Sequence, residues 1–209
     1  YYGLMIGLED EFPDEEERSN HIMKNMIYMI ELNPKNVQAS KKIFGKDANI
    51  YCGSFLPGDK GEEPGWKKAF GIEKFDIIVG NPPYVKTEDI KKNIAEYEYI
   101  KTKYETSFKQ FDKYFSFIEK SLEYLNPNGF LTFVVPSSWI NQVAGKILRK
   151  NLKKFIYRLV NFTDANIFDG RSNYTCVLYL SNKNYDSLKY FVVKEHQNWL
   201  NNETDYFEI

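Results

Sequence analysis

The sequence has few of the residues that mark several classes of protein. Its 209 residues contain two cysteines, Cys52 and Cys176, and both lie among apolar neighbours. We therefore expect reduced thiols in the core of a cytoplasmic protein rather than a disulfide framework. The two histidines, His21 and His196, have no His or Cys at metal-binding spacing, so no metal site is predicted. No apolar run has transmembrane length and no signal peptide is present, so no membrane partner is expected.

Excess positive charge is also missing. Lys and Arg number 28 against 29 Asp and Glu, which gives a formal net charge of −1. The whole-chain basic signature of a nucleic-acid binder is therefore absent. One segment differs, because residues 139–162 contain basic side chains and no acid. This segment fits either a phosphate contact or an ordinary solvated helix face. A phosphate-binding P-loop is excluded, because no Gly-Lys pair precedes Ser or Thr.

The most informative stretch of the chain is residues 75–84. The β-branched run from Ile77 to Val79 predicts a short strand buried on both faces of a parallel sheet. The strand stops at Gly80, and the tetrapeptide Asn-Pro-Pro-Tyr follows as residues 81–84. Ligands of open α/β sheets bind at the carboxyl ends of the strands. This Asn-Pro-Pro-Tyr segment is therefore placed where chemistry is expected.

The two prolines of the segment make its backbone stiff. Each fixes its own φ and keeps the preceding residue out of the helical region. The carbonyls of Asn81 and Pro82 and the Asn81 amide are thus presented from an extended chain, with the ring of Tyr84 close by. Rigid acceptors beside an aromatic ring suit a planar ligand that carries an amino group. A proline-rich strand exit with a surface tyrosine is the alternative.

A second informative stretch is residues 26–45. It predicts a buried strand that ends at Glu31, with Asn33 as helix cap, Pro34 as first helical residue and Gly45 as the stop. A carboxylate at the end of such a strand can accept both hydroxyls of a ribose. Equally, Glu31 can simply favour the N-terminus of the next helix. Residues 49–55 predict a third strand with its exit.

Helices and strands continue to alternate along the rest of the chain. An amphipathic helix is predicted over residues 110–125, a turn over 126–129, and strands over 130–135, 157–162, 174–180 and 188–193. This alternation predicts an α/β fold with a doubly wound, mostly parallel sheet. The chain starts at Tyr1 rather than Met and ends in mid-pattern, so we expect a piece of a longer protein.

The Asn-Pro-Pro-Tyr segment after an Asp-apolar strand resembles the catalytic motif of the S-adenosylmethionine-dependent adenine-N6 DNA methyltransferases. The run from Tyr114 through Asn128-Gly129 to Trp139 is similar to the helix-turn-strand that follows that motif, and the resemblance covers roughly residues 26–180. It implies the Rossmann-like fold of the class I methyltransferases and S-adenosyl-L-methionine as cofactor. It also implies double-stranded DNA with a flipped adenine as substrate, and a role as the modification part of a restriction-modification or phage-defence system.

The resemblance also implies roles for individual residues. The implied catalytic residues are Asn81, Pro82 and Tyr84, and the implied contacts to the target base are Tyr84 and Phe168. The implied cofactor-binding residues are Glu31, Leu32, Ser54, Phe55, Asn81 and Pro83. Two departures stand out. The family usually has Asp where this chain has Ser54, and no glycine-rich cofactor turn precedes Glu31.

Several alternatives stay open at this point. The same tetrapeptide occurs in methyltransferases that act on RNA adenine or on protein glutamine, and a degenerate fold could serve as a scaffold. For the domains, we expect an N-terminally incomplete catalytic domain over residues 1–182. Residues 183–209 would then lead towards a DNA-recognition domain. A nuclease domain or subunit is a further expected partner.

Overall fold

Helices and strands alternate along the chain in the computed structural model, which describes residues 1–56, 64–163, 174–194, 199, 201 and 206–209. These residues form two compact units, Tyr1–Ile72 and Glu73–Ile209. In the first unit the helices are α1 (Tyr2–Gly7), α2 (Glu15–Asn25), α3 (Pro34–Phe44) and α4 (Gly65–Phe70), and the strands are β1 (Tyr28–Glu31) and β2 (Asn49–Cys52). None of the described helices combines the length and apolar composition that crossing a bilayer requires.

The local signals around α3 act as the sequence predicts. The Asn33 side chain accepts a hydrogen bond from the Lys35 N–H at 2.9 Å, and Pro34 occupies the first turn. Gly45 ends the helix with φ of +97°, a region that L side chains rarely adopt. Strands β1 and β2 pair in parallel, with Glu31 opposite Cys52. The carboxyl ends of both strands therefore lie at one edge of this small sheet.

The second unit is built on a six-stranded sheet in the order β3-β4-β6-β5-β7-β8. Its strands are β3 (Phe75–Gly80), β4 (Leu125–Pro136), β5 (Ile156–Phe162), β6 (Thr175–Ser181), β7 (Lys189–Val193) and β8 (Tyr206–Glu208). Its helices are α5 (Thr87–Ile90), α6 (Ile94–Lys103), α7 (Lys113–Glu123) and α8 (Lys146–Leu152). The pairings make β3, β4, β5 and β7 run in one direction and β6 and β8 in the other. The predicted boundary at residue 182 stays a prediction, although β7 joins the same sheet.

The core of this unit lies between the sheet and α7. The apolar face of that helix buries Tyr114, Phe115 and Ile118 almost completely, as its amphipathic pattern predicts. The central strands contribute the equally buried Leu131 and Leu178. Helix α7 thus covers the sheet near the carboxyl ends of β3 and β4.

The predicted turn at residues 126–129 interrupts the pairing of β4 with β3. Phe75 pairs with Leu125, but Ile77 pairs with Phe130, so β4 carries three extra residues at this point. Asn128 has φ of +66°, and a side chain on Gly129 would meet the Asp76 carbonyl oxygen at 3.1 Å. The backbones approach so closely there that a larger residue would require them to shift, which favours glycine.

Two sequence predictions about burial are wrong. The strand β3 was expected to be buried on both faces, yet Ile77 is 65% and Val79 is 72% exposed. Among the described strands β3 pairs only with β4, so it lies at the edge of the described sheet. Cys52, expected in the core, is exposed, because its strand carries it at the edge of a two-stranded sheet.

The buried core makes a first prediction about stability. Leu131 is completely buried, so Leu131→Ala should lower the free energy of unfolding by about 2–5 kcal/mol through lost burial and a residual cavity. The matched control is Val143→Ala, because Val143 is 61% exposed and its truncation should change stability by less than about 0.5 kcal/mol. Urea unfolding followed by circular dichroism measures both, and equal effects would contradict the described packing.

The two cysteines should differ in reactivity. Cys176 is completely buried, its sulfur accepts a hydrogen bond from the Trp139 indole N–H at 3.4 Å, and burial raises its pKa to about 12. Because the thiolate is the reactive form, Cys176 should not react at pH 8, whereas the exposed Cys52 should. A disulfide-exchange reagent should titrate one thiol in the folded protein and two in denaturant. Cys52→Ser should abolish the folded-state signal, and a second reactive thiol before unfolding would contradict the burial of Cys176.

Candidate active site

The Asn-Pro-Pro-Tyr segment lies at the carboxyl edge of the larger sheet. The parallel ladder between β3 and β4 ends with Gly80 opposite Phe133, and residues 81–84 follow with neither helix nor strand structure. A side chain on Gly80 would come within 3.1 Å of the buried Phe133 ring. Gly80 therefore lets the strand approach Phe133 closely at the point where the segment begins.

The predicted acceptors of this segment are unoccupied by the rest of the described chain. Asn81 is exposed and Pro82 is buried. No described residue donates a hydrogen bond to the Asn81 side chain or to the Pro82 carbonyl. Pro82 and Pro83 have no N–H of their own to offer. The segment thus presents two oxygen acceptors to which no described residue donates.

Tyr84 has a fixed orientation beside these acceptors. Its hydroxyl donates to the Val134 carbonyl of β4 at 3.1 Å. Its ring meets the ring of Tyr114 edge to face, with 6.3 Å between the centroids. Tyr114 is completely buried, burial raises its pKa, and its hydroxyl donates to the Pro136 carbonyl at 3.4 Å. The half-buried Tyr84 ring is therefore held by its hydroxyl group and by its contact with Tyr114.

The exit of the segment is attached to the start of α7, which sequence reasoning did not foresee. Lys86 forms an antiparallel bridge with Asp112, and the Lys113 N–H donates to the Val85 carbonyl at 2.8 Å. The buried Thr87 hydroxyl donates to the Phe111 carbonyl. Burial raises the pKa of Asp112, and the nearby Lys86 opposes that shift. These contacts join residues about 25 positions apart, so no local pattern in the sequence predicts them.

In the first unit, the structure brings three of the predicted cofactor residues to one edge. The Glu31 carboxylate ends β1 and accepts a hydrogen bond from the Asn33 N–H at 2.7 Å. This contact fits the simpler interpretation of Glu31 as an organiser of the turn into α3. Leu32 is 70% exposed, and Ser54, two residues beyond the partner of Glu31, is exposed as well.

Phe55 lies beside a residue that the sequence analysis did not single out. Its ring stacks on that of Trp66 at 6.0 Å with an interplanar angle of 9°, and the Trp66 indole N–H donates to the Phe55 carbonyl at 3.1 Å. Trp66 is completely buried and so anchors Phe55. The other aromatic candidate, Phe168, lies outside the described residues.

Comparison with known proteins places the chain in a family. The model of the Eco57I restriction-modification methylases matches residues 11–168, which is most of the chain and includes the Asn-Pro-Pro-Tyr segment. The chain belongs to this family. The type II restriction enzyme and methyltransferase RM.Eco57I of Escherichia coli is 38% identical over 170 residues, which are 77% of this chain and 17% of that protein. This methylase chain therefore spans about a sixth of the length of that relative.

Solved structures share the fold of the methylase chain. The methyltransferase subunit of a type I restriction-modification system from Streptococcus thermophilus aligns over 79% of this chain and 36% of its own, with a TM-score of 0.54 and 22% identity. The Type ISP restriction-modification enzyme LlaGI aligns over 98% of this chain and 25% of its own, with a TM-score of 0.63 and 16% identity. The predicted Rossmann-like, mostly parallel fold of the class I methyltransferases is thus confirmed.

Family and fold make S-adenosyl-L-methionine the cofactor of this methylase. The groups at the carboxyl edge of β1 and β2 fit its adenosine part. The Glu31 carboxylate uses one oxygen for the Asn33 N–H and has a second oxygen with which to accept from ribose hydroxyls. The exposed Leu32 offers an apolar surface and the exposed Ser54 a hydroxyl for an adenine ring.

Proposed function

We propose that the methylase transfers a methyl group from S-adenosyl-L-methionine to N6 of adenine in DNA. The proposal depends on one observation above all: no described residue donates to the acceptors of Asn81 and Pro82, and the ring of the nearby Tyr84 is held in place. We further propose that this is the modification activity of a restriction-modification system. The family description supports that role.

The chemistry explains why two acceptors are needed. Adenine N6 is a poor nucleophile, because its lone pair is delocalised into the ring. If the two N6–H groups donate to the Asn81 side-chain oxygen and the Pro82 carbonyl, the nitrogen becomes more tetrahedral and its lone pair localises. Acceptors that are already oriented need no reorganisation during the reaction, which is where electrostatic catalysis gains most. Nitrogen N6 then gains the methyl group as the methyl–sulfur bond of the donor breaks, the sulfonium becomes a neutral thioether, and N6 releases one proton to water.

The cofactor, when bound, supplies an electrophilic methyl group on a sulfonium. The task of the chain is to hold N6 in line with that group, about 3 Å away, which is a positioning effect. We assign the contact with the ribose hydroxyls to Glu31. Contacts with the cofactor's remaining parts are assigned to a second group of residues: Leu32, Ser54, Phe55, Asn81 and Pro83.

The target adenine has to leave the duplex before it can reach Asn81. Tyr84 would stack on the extruded base, and stacking on an aromatic ring compensates in part for the lost stacking in DNA. The hydroxyl contact with Val134 and the edge contact with Tyr114 set the plane of that ring in advance. Phe168 stays a predicted second contact with the base.

The wider partners are proposals as well. The name of the E. coli relative joins a restriction enzyme to a methyltransferase. By analogy, we propose that the whole protein contains or binds a DNA-recognition part, and that a nuclease activity accompanies it.

The substrate class is tested by offering the whole protein labelled S-adenosyl-L-methionine with unmethylated DNA, RNA or protein extract. We expect label in DNA alone, and no further label in DNA that the enzyme has already modified. Label in RNA or in protein glutamine would overturn the DNA assignment. A protein that binds no cofactor and labels nothing would be a scaffold, an outcome that Ser54 in place of the usual Asp makes worth testing.

A further inference from the structure

The short helix α8 separates apolar from basic side chains. Leu148 and Leu152 are buried almost completely, on one side of the helix. Lys146 and Lys150 are exposed on the other side. Lys153 continues their row, because it keeps right-handed helical backbone angles and follows Lys150 by three positions. We call Lys146, Lys150 and Lys153 the lysine face.

The two arginines near this helix have internal roles and are not part of the lysine face. The Arg149 guanidinium donates to the carbonyls of Trp139 and Gln142, the latter at 2.9 Å. The Arg158 guanidinium lies over aromatic rings, 4.7 Å from the centroid of Phe191. The basic residues of this segment are thus divided, with arginines holding the structure together and lysines facing outward.

Three acidic residues lie on the apolar side of α8. Glu105, Glu119 and Glu123 line a shallow cavity with Leu148 and Leu152. Glu119 accepts hydrogen bonds from the Thr106 N–H and hydroxyl, and Glu123 pairs with Lys120 at 2.7 Å. No described carboxylate lies within ion-pair distance of a lysine-face ammonium group. The positive charge of the lysine face is therefore not neutralised by this part of the chain.

The chain that leads into α8 leaves the sheet at the edge that carries the Asn-Pro-Pro-Tyr segment. Strand β4 ends at Pro136, three residues beyond the Phe133 that pairs with Gly80. The bonds from Arg149 to the carbonyls of Trp139 and Gln142 tie α8 to the chain that follows Pro136. From there α8 runs back towards the start of β5, and the lysine face extends for about 10 Å at 1.5 Å per residue.

We infer that the lysine face is a contact surface for the phosphate backbone of the DNA duplex whose adenine is methylated. The inference rests on the proposed function. Duplex DNA carries about one negative charge per 1.7 Å of its axis, so about six phosphates lie along 10 Å. Three exposed lysines supply positive charges that match such a surface, and contacts with phosphates carry no sequence information. The lysine face thus positions the duplex and leaves sequence recognition to other parts of the protein.

The salt dependence of DNA binding tests this inference in the whole protein. The test variant is Lys146→Gln/Lys150→Gln/Lys153→Gln, assayed by fluorescence anisotropy with a labelled duplex from about 50 to 200 mM salt. Each lost phosphate contact should reduce the slope of log affinity against log salt by about 0.9, or about 2.7 for all three. Affinity should fall about 10-fold to 100-fold near 0.1 M salt, whereas kcat at saturating DNA should not change.

The matched control is Lys41→Gln/Lys42→Gln/Lys46→Gln, which removes the same charge from exposed lysines at the end of α3. Its salt slope should equal that of the wild type. If the lysine-face variant also keeps the wild-type slope while the wild type methylates DNA, the inference is overturned and the proposed function is not. A wild-type protein that neither binds nor methylates DNA would overturn both. A lysine-face variant that keeps its kcat is folded, so weaker binding would not reflect unfolding.

Discussion

Asn81→Ala should lower kcat for methyl transfer about 10²-fold to 10³-fold, a loss comparable to the removal of one preorganised polar group from an active site. The affinity for DNA should change little, because the interaction with N6 strengthens only as that nitrogen becomes tetrahedral. Asn81 is exposed and none of its side-chain atoms is engaged by described residues, so stability should not change. Single-turnover kinetics with the whole protein measures the effect directly.

A matched variant distinguishes the effect of losing the oxygen acceptor from the effect of losing side-chain volume. Asn81→Asp has nearly the same size and keeps an oxygen acceptor, so it should retain more activity than Asn81→Ala. Thermal unfolding of both variants should coincide with the wild type. An alanine variant that methylates DNA at the wild-type rate would remove Asn81 from the catalytic assignment, whatever its affinity for DNA.

Tyr84→Ala should lower kcat/KM about 10-fold to 100-fold, because stacking of a base on an aromatic ring contributes about 1–3 kcal/mol. Tyr84→Phe is the control. It keeps the ring and loses only the hydrogen bond to Val134, which costs about 1 kcal/mol of stability and a few-fold in kcat/KM at most. The difference in kcat/KM between the two variants therefore measures the contribution of the aromatic ring alone.

Base extrusion gives an independent measurement for the same pair of variants. A 2-aminopurine in place of the target adenine should brighten on binding to the wild type and to Tyr84→Phe, because the base leaves the stack. With Tyr84→Ala the change in fluorescence should be smaller. An alanine variant with wild-type kcat/KM and full brightening would show that Tyr84 does not hold the base.

The parts of this structure that were predictable are those set by neighbours in sequence. The α3 helix begins with Asn33 and Pro34 and ends at Gly45 as predicted, because caps and stops act within one turn. Likewise the apolar run before Gly80 predicted a strand with the Asn-Pro-Pro-Tyr segment at its carboxyl end. The paired β3 and β4 place it there.

The parts that were not predictable depend on contacts with residues that are distant in the sequence. The apolar run of β3 indicated a strand but not that Ile77 and Val79 would be exposed, since burial depends on the elements packed against a face. The hydroxyl contact of Tyr84 with Val134 spans 50 residues, and nothing in either local sequence requires it. The stacking of Phe55 on Trp66 is long-range in the same sense, so the sequence indicated the residue but not its surroundings.

The identity of the methylated atom tests the central claim most directly. Unmethylated DNA should be treated with the whole protein and S-adenosyl-L-methionine, digested to nucleosides and analysed by mass spectrometry. The account predicts N6-methyladenine as the product, and its yield should fall with Asn81→Ala. A methylated cytosine in the same digest, with adenine unchanged, would contradict the proposed action of Asn81 and Pro82 on the adenine amino group.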